Sequence, residues 1–271
     1  ASAYMGDMIQ ISEFANWNEV ARWASALFAP TAKANSDRLN QQVAGWRARS
    51  PDQAGQLQMA LDFVQKEVRY FGTEIGVNSH KPAMPDKVLE QRFGDCKDKS
   101  ALLIAALRAL GLEARPVLVS TTFQEQTDAM LPSPLAFNHA IAQLTLDGKT
   151  WWIDPTREQQ TGPLNQRQVN DYGKVLLASD DAATLVALPD GLNVIAQEVE
   201  DRFQIPTMEA DPVLESTTTW HGSMAEKIRA WLGRTPMAEV QTALAKPYLR
   251  PFPQLKIKAP LRVEEVKDQN A

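Results

Sequence analysis

The sequence predicts an α+β fold, and three observations carry the prediction. Helical periodicity fills the first quarter of the chain. A nearly all-apolar helix opened by the single cysteine follows, and strand patterns with a two-residue hairpin turn come after it. The expected architecture is a central helix packed on an antiparallel sheet, with extra helices ahead of it and a β-rich segment behind.

Taken in order, Met8-Ile9-Gln10-Ile11 reads as a strand fragment. Asn16 with Glu19 three residues on forms a capping box, and Val20, Trp23, Ala24, Leu27 and Phe28 line one face of the helix it starts, with Pro30 expected to close it. A second helix is predicted over 36–48 on Leu39, Val43 and Trp46, and a third over 52–70 on Leu57, Leu61, Val64 and Val68. The tryptophans here are expected to be packing residues. Residues 72–86 are rich in glycine and proline and predict a loop, followed by a short helix begun by Pro85. The cysteine helix spans about 95–110, ends at Gly111, and has so little polar surface that burial nearly all round is expected.

Strands are predicted over 115–122, over 137–146 and, across Asp147-Gly148, over 149–154. Shorter ones follow at 172–177 and 183–188. A boundary is expected near Pro189-Asp190-Gly191, with strands beyond it at 193–205, 213–220 and 255–263 and a helix at 223–232. The implied organisation is a helical segment at 1–50, a core at 51–190 and a β-rich segment at 191–271 that reads as a partial domain.

Composition narrows the function classes. With 44% hydrophobic and 23% charged residues, the chain is that of an ordinary globular protein. A net charge of −5 offers no basic footprint for nucleic acid or an anionic membrane. No apolar run approaches the roughly 18 residues of a membrane span, and Ala1 to Met8 does not resemble a signal peptide. The compartment, envelope or cytoplasm, is left open. One cysteine excludes an internal disulfide, and His80, His139 and His221 lack metal-ligand spacing, so neither a metal nor a cofactor is expected.

The lone cysteine lies in Arg92-Phe93-Gly94-Asp95-Cys96-Lys97-Asp98-Lys99-Ser100. Most single cysteines are small core residues. Here the flanks are charged, Asp95 suits an N-cap, and a thiol in a helix's first turn meets N–H groups and a dipole that favour thiolate. The Asp147-Gly148 hairpin supplies candidate partners. If Leu146 faces Lys149, Ile141 faces Asp154, and His139 and Asp154 become diagonal neighbours on one face about 7 Å apart or less. Ala140, Ala142, Leu144, Leu146, Trp151 and Ile153 share the other, apolar face, and a one-residue slip would mix the two. Cys96 as nucleophile, His139 as base and Asp154 as orienter make a complete set for thiol catalysis, with the Cys96 amide as first oxyanion donor.

Gly94-Asp95-Cys96 opening a helix, Asn138-His139-Ala140 on a strand and Trp152-Ile153-Asp154-Pro155-Thr156 on its partner resemble the transglutaminase-like superfamily. With Val68-Arg69-Tyr70 and Arg92–Lys99, the likeness is to its bacterial members and covers about 55–160. The resemblance implies a papain-like core, the triad Cys96, His139 and Asp154, and acyl transfer or hydrolysis at a glutamine side chain or peptide bond through a thioester. It also implies Tyr70 as an aromatic lining the cleft or oxyanion site. Lys97 stands where the animal cross-linking enzymes carry an aromatic residue, and no acidic cluster matches their calcium sites. A protein or peptide substrate is therefore the expected partner, with peptidase or amidase chemistry at least as well supported as cross-linking. A non-catalytic scaffold of a larger envelope protein is the alternative.

Overall fold

The computed structural model describes residues 9–72, 75–167, 169–181, 183–189, 195–207, 209–266 and 270–271. Two compact units emerge, one of residues 1–158 and 169–191, the other of 159–168 and 192–271. The expected boundary at Asp190-Gly191 lies outside the described residues, as does Met8.

In the first unit, α1 (Trp17–Ala32) starts at Asn16, whose side chain accepts the Glu19 N–H, and α2 (Asp37–Arg49) starts at Ser36, which caps Leu39 in the same way. Pro30 does not close α1. It sits in the last turn, and the helix continues to Ala32. The third helix is shorter than its periodicity suggests. Regular α3 (Gln53–Asp62) widens into a π turn at Phe63–Glu67, and β1 (Arg69–Tyr70) then pairs in parallel with β2 (Phe93–Gly94). Val64 and Val68 remain buried, but the backbone after Glu67 is claimed by strand pairing: Arg69 N–H reaches Arg92 O and Phe71 N–H reaches Gly94 O, each at 2.9 Å. Between the strands lies α4 (Pro85–Gln91), with its proline in the first turn.

α5 (Cys96–Ala109) is buried along nearly its whole length, including the charged Lys97 and Lys99. It packs on β3 (Glu113–Val119) and β4 (His139–Leu146). These belong to a five-stranded antiparallel sheet in the order β5-β4-β3-β6-β7, with β5 at Lys149–Ile153, β6 at Lys174–Leu177 and β7 at Leu185–Ala187. Asp147 and Gly148 both have positive φ, 51° and 72°, as a tight two-residue hairpin turn requires. The register follows: Leu146 pairs with Lys149 and Ala142 with Ile153. Ala140, Ala142, Leu144 and Ile153 are buried as the alternation predicts. Ile141 on the opposite side is also fully buried, in a second cluster with Val117, Val119, Tyr172 and Val175.

The second unit contains the β8 (Gln197–Gln204) and β9 (Val213–Trp220) hairpin, α6 (Gly222–Leu232) and α7 (Met237–Leu249). α7 was not expected, because Pro236 and Pro247 mask its pattern, although Val240 is fully buried. Two strand expectations fail among the described residues. Ile9 and Ile11 are about nine-tenths exposed and unpaired in any sheet. Residues 255–263 are irregular despite their alternation, because Pro260 has no N–H to offer and the Gln241 amide occupies the flanking Ala259 O and Leu261 N–H.

Candidate active site

Cys96 is the first residue of α5, and its position is set by a reciprocal cap. The Asp95 carboxylate accepts the N–H groups of Lys97 and Asp98, while the Asp98 carboxylate accepts the Asp95 N–H at 3.2 Å. Asp98 also accepts the Ala83 N–H at 2.7 Å, which fastens the loop ahead of α4 to the nucleophile turn. Gly94 is required here, since a Cβ would lie 2.7 Å from the Asp98 Cβ. The Lys97 ammonium is buried against the Asp95 carboxylate. Ser100, one turn on, donates to Ala140 O at 2.9 Å and ties α5 to β4. Cys96 packs with Phe28, Ala101 and Ala140 and is 5% exposed.

His139 begins β4, and Asp154 follows the last residue of β5. The His139 Nε2 lies 3.0 Å from Asp154 Oδ2. Cys96 bears on the same ring and raises its pKa, and with Nε2 occupied by the carboxylate, Nδ1 is the nitrogen left for the thiol. The two side chains are 12% and 2% exposed. Burial alone would lower the His139 pKa. The hydrogen bonds and charges of Asp154 and Cys96 outweigh it and hold the imidazolium up to about 10. For Asp154 the burial penalty would raise the pKa, but His139, Thr156 and Tyr172 bring the carboxyl down to about 2.

Four further residues complete the site. The Tyr172 hydroxyl donates to Asp154 Oδ2 at 2.7 Å, and its ring sits 5.8 Å from the imidazole. Burial, followed by the neighbouring Asp154 charge, pushes the Tyr172 pKa far up, so it stays a donor. Thr156 gives Asp154 Oδ1 both its N–H, at 2.9 Å, and its hydroxyl, at 2.7 Å. Gln65, in the π turn, donates its side-chain amide to the Asp154 carbonyl at 2.9 Å. Asn138 clamps the loop before His139 by accepting the Thr121 N–H at 2.9 Å and donating to the Thr121 and Thr122 hydroxyls.

The structure therefore brings Cys96, His139 and Asp154 together. Tyr70 is placed beside them by the β1–β2 pairing, opposite Gly94, and is 45% exposed. Its hydroxyl lies close to Gly72, which in turn faces Asp95, and its N–H donates to Glu158 at 3.2 Å. Tyr172, Gln65 and Lys99 were missed. Gln65 and Lys99 carried a signal, each being a polar residue on an otherwise apolar helix face. Among the described residues no cluster of His, Cys, Asp and Glu could hold a metal ion. No helix there is long and apolar enough to cross a membrane.

The model of the transglutaminase-like superfamily matches residues 39–154, from α2 to the candidate orienting aspartate. No curated protein matches the chain. Among solved structures, a candidate protease from Parabacteroides distasonis aligns at 16% identity and a TM-score of 0.48, over 63% of this chain and 31% of the other. A candidate cysteine protease from Cytophaga hutchinsonii aligns at 15% identity and 0.38, over 70% and 55%. The arylamine N-acetyltransferase of Mycobacterium abscessus aligns at 12% and 0.29, over 83% and 75%. The chain thus spans under a third of the Parabacteroides protein and about half of the Cytophaga one. Within it, residues 39–154 are matched by the model of the transglutaminase-like superfamily domain.

Proposed function

We propose that the chain is a thiol-dependent acyltransferase or hydrolase that acts at an amide, a glutamine side chain or a peptide bond, through a Cys96 thioester. The observation that carries this reading is the imidazole of His139, hydrogen-bonded to Asp154 through Nε2 while Cys96 bears on the same ring and raises its pKa. Cys96 attacks the carbonyl carbon as thiolate, and the carbonyl π electrons move to oxygen. The resulting oxyanion meets the Cys96 N–H, which the cap leaves unspent because Asp95 takes those of Lys97, Asp98 and Lys99. The tetrahedral species collapses with cleavage of the C–N bond, and the His139 imidazolium gives its proton to the departing amine. Neutral His139 then takes a proton from water or an incoming amine, which attacks the thioester, and collapse breaks the C–S bond and releases the Cys96 thiolate beside the restored imidazolium. Asp154 stays ionised throughout, fixes the imidazole orientation and balances its charge.

A second reading has an observation of its own. At 5% exposure Cys96 is nearly covered, which favours a scaffold or binding module that keeps the arrangement without turnover. One experiment separates the two. An electrophilic thiol probe should label the wild-type chain rapidly at pH 7, the Cys96→Ala chain not at all, and the His139→Ala chain slowly. Slow labelling of the wild type that is indifferent to His139 would favour the scaffold. Amine incorporation measured against peptide hydrolysis then distinguishes the acceptor.

A further inference from the structure

Lys99 is the one fully buried cation within a helical turn of the candidate nucleophile, and the chemistry above makes no use of it. It follows Cys96 by three positions on α5, so the two side chains leave adjacent sides of the same first turn. Its relative exposure is 0%. The ammonium is held by main-chain carbonyls, Val68 O and, at 3.4 Å, Gln65 O. Burial draws its pKa down to about 8, against the opposing pull of Glu158 and Asp154, the charged groups that face it. A methionine would fill the same space without the desolvation cost. The position of those carbonyls explains what the cation accomplishes.

Both belong to the π turn and the residue after it, where the helical hydrogen-bond ladder is interrupted. Such single-turn irregularities recur at functional sites. The same turn holds Gln65, itself fully buried, whose amide donates to the Asp154 carbonyl at 2.9 Å. A closed circuit results. Cys96 contacts His139, His139 contacts Asp154, the Asp154 main chain is held by Gln65, the Gln65 main chain is held by Lys99, and Lys99 returns to Cys96 through one turn of α5. Thr156 and Tyr172 orient the Asp154 carboxylate, but Thr156 belongs to the same loop, so it cannot fix where that loop sits relative to α5.

We propose that Lys99 and Gln65 are positioning residues that set the distance between the Cys96 turn and Asp154, and through Asp154 the orientation of the His139 imidazole. The inference rests on the triad reading given above. Neither residue touches the reacting atoms. Loss of either should release the Asp154 loop by a fraction of an ångström to an ångström, enough to misalign a thiol–imidazole contact.

The test is the pH profile of Cys96 alkylation by iodoacetamide, with folding checked by circular dichroism and urea melting. Gln65→Met removes the amide donor at nearly constant volume, and Lys99→Met removes the cation. Both folded variants should alkylate about 10- to 100-fold more slowly than wild type at pH 7. Their profiles should approach that of Asp154→Asn. Gln65→Glu, protonated and able to donate only in acid, should recover part of the rate as pH falls. Variants that are less stable yet keep the wild-type profile would overturn the positioning role and leave the triad standing. If Lys99→Met does not fold, Gln65→Met decides alone. If His139→Ala and Asp154→Asn also leave the profile unchanged, the triad reading itself has failed, an outcome distinguishable from the first.

Discussion

Asp154 is the residue on which the site's electrostatics turn. A carboxylate 2% exposed is tolerated only because every lone pair is used, by His139, Tyr172 and the two donors of Thr156. Asp154→Asn preserves shape but removes the charge, and burial then acts on the imidazole with less opposition. The His139 pKa should fall from about 10, readable in the pH titration of its ring protons by NMR, and alkylation of Cys96 at pH 7 should slow. Tyr172→Phe is the milder change, because the charge stays and one donor goes. A lost hydrogen bond to a buried ion costs about 1.5–3 kcal/mol, so urea melts at pH 7 should show a loss of that order. The folded carboxyl titrates near 2, so the loss should shrink once the pH is low enough to protonate Asp154. A Tyr172→Phe chain equally stable at pH 7 would mean that the hydroxyl is dispensable.

The nucleophile turn is the element where local sequence does most to define geometry. Gly94, Asp95 and Asp98 form one unit, with the reciprocal cap tightening the turn and Asp98 reaching back to Ala83. Gly94→Ala would bring a methyl to 2.7 Å from the Asp98 Cβ. Overpacking of this kind costs about 1–3 kcal/mol. The strain should be felt at Cys96, so alkylation should slow as well as stability fall. A Gly94→Ala chain with wild-type melting and labelling would show that the turn has slack. This element and the Asp147-Gly148 hairpin were legible in the sequence because each is governed by residues near in the chain. The cap motif and the two-residue turn fix local backbone, and the turn carries the register that joins His139 to Asp154. Tyr172 was not legible, since it reaches Asp154 from a segment that leads into β6, on the far side of β3. The end of α3 was not legible either. Its apolar spacing continues to Val68, but pairing with β2 and the pull of Lys99 on two carbonyls override it. Residues 255–263 failed for a like reason, an alternation broken at Pro260 whose flanking backbone groups the Gln241 amide takes.

At the scale of the whole molecule, these buried charges shape how stability depends on pH. The His139 pKa is raised from 6.5 to about 10, so the folded state holds more protons than the unfolded one between those values. Its contribution is complete below 6.5 and is lost as pH rises through 10. The Lys99 pKa is lowered from 10.5 to about 8, so the unfolded state holds more protons there, and its burial penalty is relieved as pH climbs through that interval. Asp154, lowered from 3.8 to about 2, contributes above 3.8 and loses its contribution as pH falls through 2. Each uncompensated proton tilts stability by about 1.4 kcal/mol per pH unit. Wild-type stability from these groups should therefore decline between pH 6.5 and 8, where His139 acts alone. It should level off between 8 and 10, where the two opposite slopes cancel. Lys99→Met removes the rising slope. The variant should decline above pH 8 without the plateau, as far as the His139 pKa that the loosened Asp154 loop leaves, so the difference in unfolding free energy, variant minus wild type, falls from pH 8 upward. Urea unfolding at intervals of half a pH unit measures that difference directly, with other titrating groups common to both chains. A difference that stays constant from pH 7 to 10 would mean that Lys99 keeps its proton throughout, and that its carbonyl partners offset burial more fully than the geometry implies.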